Sequence, residues 1–255
     1  MDTSRSAESN RILWAVIYGG ACHLAFALGG AAMVWGLYTG LTQTVGQVPW
    51  PWAGLVNLLL LLQFPVAHSF FLSNTGRSIL AKLAPAPHGK TLATTTYAFI
   101  ASIQLLALFT LWTPTGLLVW QAEGITLWVM TALFVFSWGL LAKASFDAGL
   151  ELQSGALGWM SLARGSAPEF PDMPERGLFR LIRQPIYAAF ALTLWTMPTW
   201  TVDQLSIAIP LTTYCLFAPK LKERRFRKIY GERFAEYKQR IPYMIPGTKK
   251  VKANV

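Results

Sequence analysis

Between residues 12 and 76 the chain contains no Lys, Arg, Asp or Glu. An uncharged apolar stretch of that length cannot be the core of a soluble domain, and it is long enough for two membrane spans of about 20 residues each. The same pattern returns at 91–122, 124–142 and 184–219, the last broken only by Asp203. The chain therefore reads as a polytopic membrane protein whose chemistry lies in the charged segments between the apolar ones. Only 13% of its 255 residues are charged, about half the usual share.

The apolar runs predict spans near 12–39, 52–72, 93–113 and 124–142. Gly19, Gly20, Gly29 and Gly30 are expected to let the first span approach a neighbour closely, and Pro65 to kink the second. Residues 185–219, with Pro198, Thr199, Thr201 and Asp203 in the middle, predict a hairpin of two helices. Beyond it Phe226, Ile229, Tyr230, Phe234, Tyr237 and Ile241 recur at helical spacing among basic residues, which predicts an amphipathic interfacial helix bent at Gly231. The fold class is all-α: a polytopic membrane helix bundle of five spans, or six with the C-terminal hairpin, plus that amphipathic C-terminal helix. It forms one integral membrane domain over 1–255, divided into a four-helix part (1–142), the chemistry-bearing part (143–246) and a basic tail (247–255).

Charge orients the bundle. Arg77, Lys82 and Lys90 lie in one loop, the polar stretch 143–183 in another, while loops 40–51 and 114–123 contain no Lys or Arg. The positive-inside rule then places both termini in the cytoplasm. Trp50, Trp52, Trp112, Trp120 and Trp200 stand at expected span ends, where indoles anchor at the interface. The net charge is +10, and residues 220–255 hold twelve Lys and Arg against three Glu. On a hydrophobic bundle such a tail points to anionic membrane lipids rather than nucleic acid. Cys22 and Cys215 both sit in apolar runs, so neither a disulfide framework nor a metal site is expected.

Two polar constellations meet the membrane on the inner side. One is the run from Gly177 through Phe179, Arg183, Gln184 and Pro185 to Tyr187. Pro185 suits the first turn of a helix, and the free N–H groups of that end, with Arg183 alongside, suit a carboxylate or phosphate. A plain stop-transfer boundary would look the same. The other is Lys220 to Arg225, followed by Tyr230-Gly231-Glu232-Arg233-Phe234-Ala235-Glu236-Tyr237. In it Glu223 is an acid among many bases, either a surface ion-pair partner or a counter-charge for a cationic ligand.

Together these constellations resemble the membrane-embedded methyltransferase superfamily of isoprenylcysteine carboxyl methyltransferases and phospholipid methyltransferases. Arg183-Gln184-Pro185-Ile186-Tyr187 stands for its Arg-His-Pro-x-Tyr segment, Gly177 and Phe179 for the preceding Gly-x-Tyr, and Lys222-Glu223 for its acidic pair. Tyr230 to Tyr237 and Pro242 or Pro246 match its C-terminal run. Ala67-His68-Ser69, Pro85, Pro87, Tyr97, Ala101-Ser102 and Trp112-Thr113-Pro114 narrow the resemblance to NnrU-like bacterial proteins, and among them to methanethiol S-methyltransferases. Gln184, Lys222 and Ala189 depart from the pattern, which has His, Glu and Gly there.

The resemblance implies an enzyme of the bacterial inner membrane that transfers a methyl group from S-adenosylmethionine to a small or lipid-soluble acceptor, such as methanethiol. It implies catalytic roles for Glu223 and Arg183 and a cofactor pocket built from Gly177, Phe179, Arg183, Gln184, Pro185, Tyr187 and Tyr237. His68 would contact the acceptor. The two constellations are then expected to share one cavity at the inner leaflet. No GxGxxG segment occurs, which argues against a Rossmann-type enzyme. The alternatives are a non-catalytic NnrU-like subunit, a haem-binding isomerase or redox protein using His23 or His68, and a reductase of the sterol-reductase layout. His23 and His68 differ in expected depth by roughly 12 Å at ~1.5 Å per residue, which disfavours paired haem ligation.

Overall fold

The computed structural model describes residues 2–248; of the basic tail, positions 249–255 lie outside the described residues. Among the described residues nine α-helices and a short 3-10 helix dominate, in keeping with the expected all-α class. In order these are α1 (Asp2–Tyr38), α2 (Trp52–Phe71), α3 (Asn74–Leu83), α4 (Gly89–Leu111), β1 (Leu118–Gln121), α5 (Gly124–Asp147), α6 (Leu150–Gln153), α7 (Ala156–Arg164), the 3-10 helix Gly177–Arg180, α8 (Pro185–Thr193), β2 (Thr199–Thr201) and α9 (Val202–Arg240). They fall into two compact units, 2–116 with Leu150–Phe170, and Leu117–Gly149 with 171–248.

Four of these helices are long and apolar enough to cross a membrane: Ser6–Tyr38 within α1, then α2, α4 and α5. The chain is an integral membrane protein. The expected fifth and sixth spans take another form. α8 has nine residues, about 14 Å at ~1.5 Å per residue, roughly half of a bilayer core. The returning half is continuous with the charged tail in the 39-residue α9, which runs through Pro210 and Pro219 and departs from helical geometry only at Gly231. At Gly231 (φ 51°, ψ −121°) the chain kinks between two helical segments, so the amphipathic stretch bends where expected, and its residues before the kink continue the returning half.

The first unit is organised by α1 against α4. A Cβ on Gly29 would stand 2.6 Å from the Ser102 carbonyl oxygen, and one on Gly19 would strike the Trp159 ring. Gly20 and Gly30 face open space, because adjacent helical positions point about 100° apart. Only one of each Gly pair serves the close approach. Trp112 likewise departs from expectation: it is buried in the protein, while Trp50 and Trp52 are exposed.

Polar clasps hold these helices where apolar packing alone gives little specificity in lipid. Gln63 and Gln104 each donate to the other's backbone carbonyl, at 2.9 and 3.0 Å. Asn57 donates to the Thr113 carbonyl at 2.7 Å and accepts from the Thr113 N–H at 2.9 Å. Thr95 donates to the Gly155 carbonyl and accepts from the Trp159 N–H, seating α7 on α4. Asn57→Leu should strand two buried backbone groups and destabilise the protein by about 1–3 kcal/mol. Reversible unfolding in mixed micelles measures this, and an unchanged midpoint would remove the clasp from the account.

In the second unit α5 packs on α8, and α8 on α9. Glu123 and Thr126 form a capping box that starts α5, and Thr201 starts α9 by accepting from the Gln204 N–H. Where a plain loop and a hairpin bend are expected, β1 and β2 pair antiparallel, with Trp120 opposite Trp200. The pairing satisfies backbone groups that an irregular turn beside lipid would leave exposed.

Candidate active site

The second constellation closes onto the first within this unit. Gln184 is the residue before α8 and Pro185 its first residue, so Arg183 lies outside the helix and does not share a helical face with Tyr187. The Arg183 and Gln184 N–H groups donate to the carbonyls of Pro242 and Tyr243. This ties the start of α8 to the chain that follows α9.

Arg183 and Glu223 form a buried ion pair, Nε to Oε1 at 2.9 Å, with only 6% and 10% of their side chains exposed. The guanidinium also donates to the carbonyls of Lys238 and Ile241 and lies 5.5 Å from the Tyr243 ring centroid. Gln184 donates from Nε2 to the same Glu223 oxygen at 3.1 Å. Its own Oε1 is buried with no hydrogen-bond partner among the described residues. A buried amide acceptor without a donor is costly, so a ligand that brings an N–H or O–H would complete it.

Around this core the other expected residues take defined places. Tyr237 donates to the Phe179 carbonyl at 2.7 Å, and burial raises its phenol above the ordinary value. Tyr243 donates to the Leu216 carbonyl; burial, then the Glu223 charge, push its phenol up to about 12. Tyr187 is within electrostatic reach of Tyr214, Arg225 and Tyr243. Met173, Phe234 and Tyr237 form a small core beside exposed ion pairs from Arg233 to Asp172 and Glu175. A hollow of about 340 Å³ opens on α9, lined by Arg227, Phe234, Ala235, Lys238 and Gln239. Gln184 and Glu223 do not line it, so Arg183 and Glu223 meet face to face instead of across that cavity.

Sequence reasoning overlooks Asp147. It accepts from the Leu178 N–H at 2.8 Å and pairs with Lys143, holding the turn that presents Phe179. Gly177 allows this: its φ is +56°, and a Cβ there would lie 2.1 Å from the Asp147 carboxylate. In the sequence Asp147 reads only as an i, i+4 partner of Lys143; the glycine at 177 is the one available hint.

His68 and His23 belong to the first unit. His68 lies in α2 with its ring 5.1 Å from that of Phe64 and 5.0 Å from that of Tyr97. His23 Nε2 accepts from the Trp159 indole at 3.0 Å, so this half-buried histidine is satisfied within its own unit.

Comparison with known proteins decides the family. The chain is 30% identical over 193 residues to methanethiol S-methyltransferase 2 of Bradyrhizobium diazoefficiens, covering 75% of this chain and 73% of that one. The chain belongs to the methanethiol S-methyltransferase family. Methanethiol S-methyltransferases of Pseudomonas deceptionensis and of a further Pseudomonas strain are 29% and 28% identical. The first alignment covers 83% of this chain and 80% of the relative, and the second 93% and 92%. No family profile matches the chain, and no solved structure matches it. A methanethiol S-methyltransferase-family protein with four apolar spans is a membrane methyltransferase.

Proposed function

We propose that the protein methylates methanethiol to dimethyl sulfide, with S-adenosylmethionine as methyl donor, at the inner face of a bacterial cytoplasmic membrane with both termini in the cytoplasm. The observation that carries this reading is the buried Arg183–Glu223–Gln184 cluster with its unpartnered amide oxygen. Such a cluster costs stability and is retained where it has work to do. Gly177, Phe179, Arg183, Gln184, Pro185, Tyr187 and Tyr237 would hold the donor. When bound, that donor supplies an electrophilic methyl group on a sulfonium.

Glu223 faces that cation as its counter-charge, and Gln184 Oε1 accepts from an N–H or O–H group elsewhere on the donor. Arg183 fixes the Glu223 carboxylate and locks the chain at 241–243 over the site, which keeps water out. Exclusion of water favours the reaction, since a thiolate and a sulfonium lose charge as they combine and water would stabilise the separated ions more. The basic half of α9 faces anionic lipid headgroups.

The test uses full-length protein in nanodiscs, with calorimetry against S-adenosylhomocysteine and headspace detection of dimethyl sulfide after addition of methanethiol. Binding and product formation are the expected results. Absence of both would leave a non-catalytic membrane subunit as the better reading.

A further inference from the structure

Lys222 stands where the related pattern has an acid, and its surroundings are unusual for a lysine. Its Nζ lies 5.6 Å from the Phe179 ring centroid and 5.1 Å from that of Phe226. No hydrogen bond or ion pair joins the ammonium to another group among the described residues. Its neighbour Glu223 is engaged with Arg183 and Gln184. The charged groups that face it are Glu223 and Arg225, both on α9; the 3-10 helix presents the Phe179 ring. A surface lysine would extend into water. This one is folded back on two phenyl faces beside the candidate site.

We infer that Lys222 takes the proton of the thiol acceptor, so that the nucleophile is a thiolate held against its ammonium. This rests on the function proposed above. In the step the acceptor's S–H bond breaks, its electron pair stays on sulfur, and the proton forms a new N–H bond on neutral Nζ. After methyl transfer the ammonium returns the proton to water. Some group must do this, because a thiol that kept its proton would end as a protonated sulfide.

The neighbouring carboxylate is a weaker base. A carboxylate, ordinarily ~4.3, lies far below even a cysteine-like thiol at ~8.5, and Glu223 Oε1 is already engaged by Arg183 and Gln184. Burial, then repulsion from Arg225, push the Lys222 amine down to about 8, against the opposing pull of Glu223. An amine poised there is partly neutral at physiological pH and close enough to the thiol for efficient transfer. The two rings stabilise the ammonium once formed.

The experiment compares wild type, Lys222→Met and Lys222→Arg in nanodiscs, with methanethiol and with a more acidic aryl thiol. For the wild type, turnover of methanethiol should rise with pH through a limb near 8. Both variants should lose turnover of methanethiol by at least ~100-fold at neutral pH, recover as the free thiol ionises in alkaline buffer, and lose far less with the aryl thiol. Without methyl donor, bound methanethiol should show thiolate absorbance in wild type and none in Lys222→Met. S-adenosylhomocysteine binding, retained in Lys222→Arg, confirms an intact fold. Equal losses with both thiols, or an unchanged pH limb in Lys222→Arg, would overturn the assignment. A wild type that binds S-adenosylhomocysteine yet methylates no thiol would instead overturn the proposed acceptor.

Discussion

Glu223→Ala should destabilise the protein by about 3–5 kcal/mol, the effect of stranding a buried charge. The Arg183 guanidinium is 6% exposed, and after the substitution Nε would face an apolar gap while its remaining contacts run to the carbonyls of Lys238 and Ile241. Gln184 Nε2 would lose its acceptor as well. Glu223→Gln keeps an oxygen for both donors and removes only the charge, so its cost should be smaller, while methyl transfer at saturating donor should still fall steeply. The decisive measurement is a double-mutant cycle by unfolding in mixed micelles. Arg183→Met with Glu223→Leu should be clearly less destabilised than the sum of the two single changes, because neither charge is then left alone. Additive losses would mean that the pair is not coupled, and turnover unchanged in Glu223→Gln would remove Glu223 from the mechanism.

Gly177→Ala is expected to cost about 2–5 kcal/mol through two separate causes. A φ of +56° disfavours any residue with a Cβ by about 1–2 kcal/mol. The Cβ also needs the space of the Asp147 carboxylate, 2.1 Å away. Moving that carboxylate strands the Leu178 N–H, worth a further ~1–3 kcal/mol. Combining Gly177→Ala with Asp147→Ala separates these causes: the clash disappears and the backbone strain remains, so the double variant should be more stable than additivity predicts. Strict additivity would show that Asp147 does not fill the space over Gly177. Since the 3-10 helix presents Phe179 to Lys222 and its carbonyl to Tyr237, S-adenosylhomocysteine affinity should weaken alongside stability.

Most of the spans are legible in the sequence, and so is their register to within a few residues. The expected 52–72 and 124–142 correspond to Trp52–Phe71 and Gly124–Asp147. The strand pairing of Leu118–Gln121 with Thr199–Thr201 is not legible, because segments of four and three residues are too short to show a period. The continuity of α9 from Val202 up to the kink at Gly231 is also hidden. Pro210, Pro219 and a change from apolar to basic composition all suggest a boundary, yet a helix lying partly against protein tolerates proline where neighbours re-satisfy the freed carbonyls. Of the glycine pairs in α1, composition cannot say which member faces Ser102, since that depends on where α4 sits.

The same division runs through the site. Arg183, Gln184, Glu223 and Tyr237 stand out in the sequence as charges and motif positions at the edge of apolar runs. That Arg183 is consumed by Glu223 and by the carbonyls of Lys238 and Ile241 does not follow from it, and neither does the solitary placement of Lys222 between Phe179 and Phe226.

Partition into the membrane is a sum over neighbouring residues, each paying its own desolvation independently, so the order of residues alone decides that this chain enters a bilayer and where. Which charges end up neutralised is a pairwise matter between groups forty positions apart along the chain. A Coulomb or hydrogen-bond energy depends on separation in space, and only the packing of α8 against α9 sets that separation.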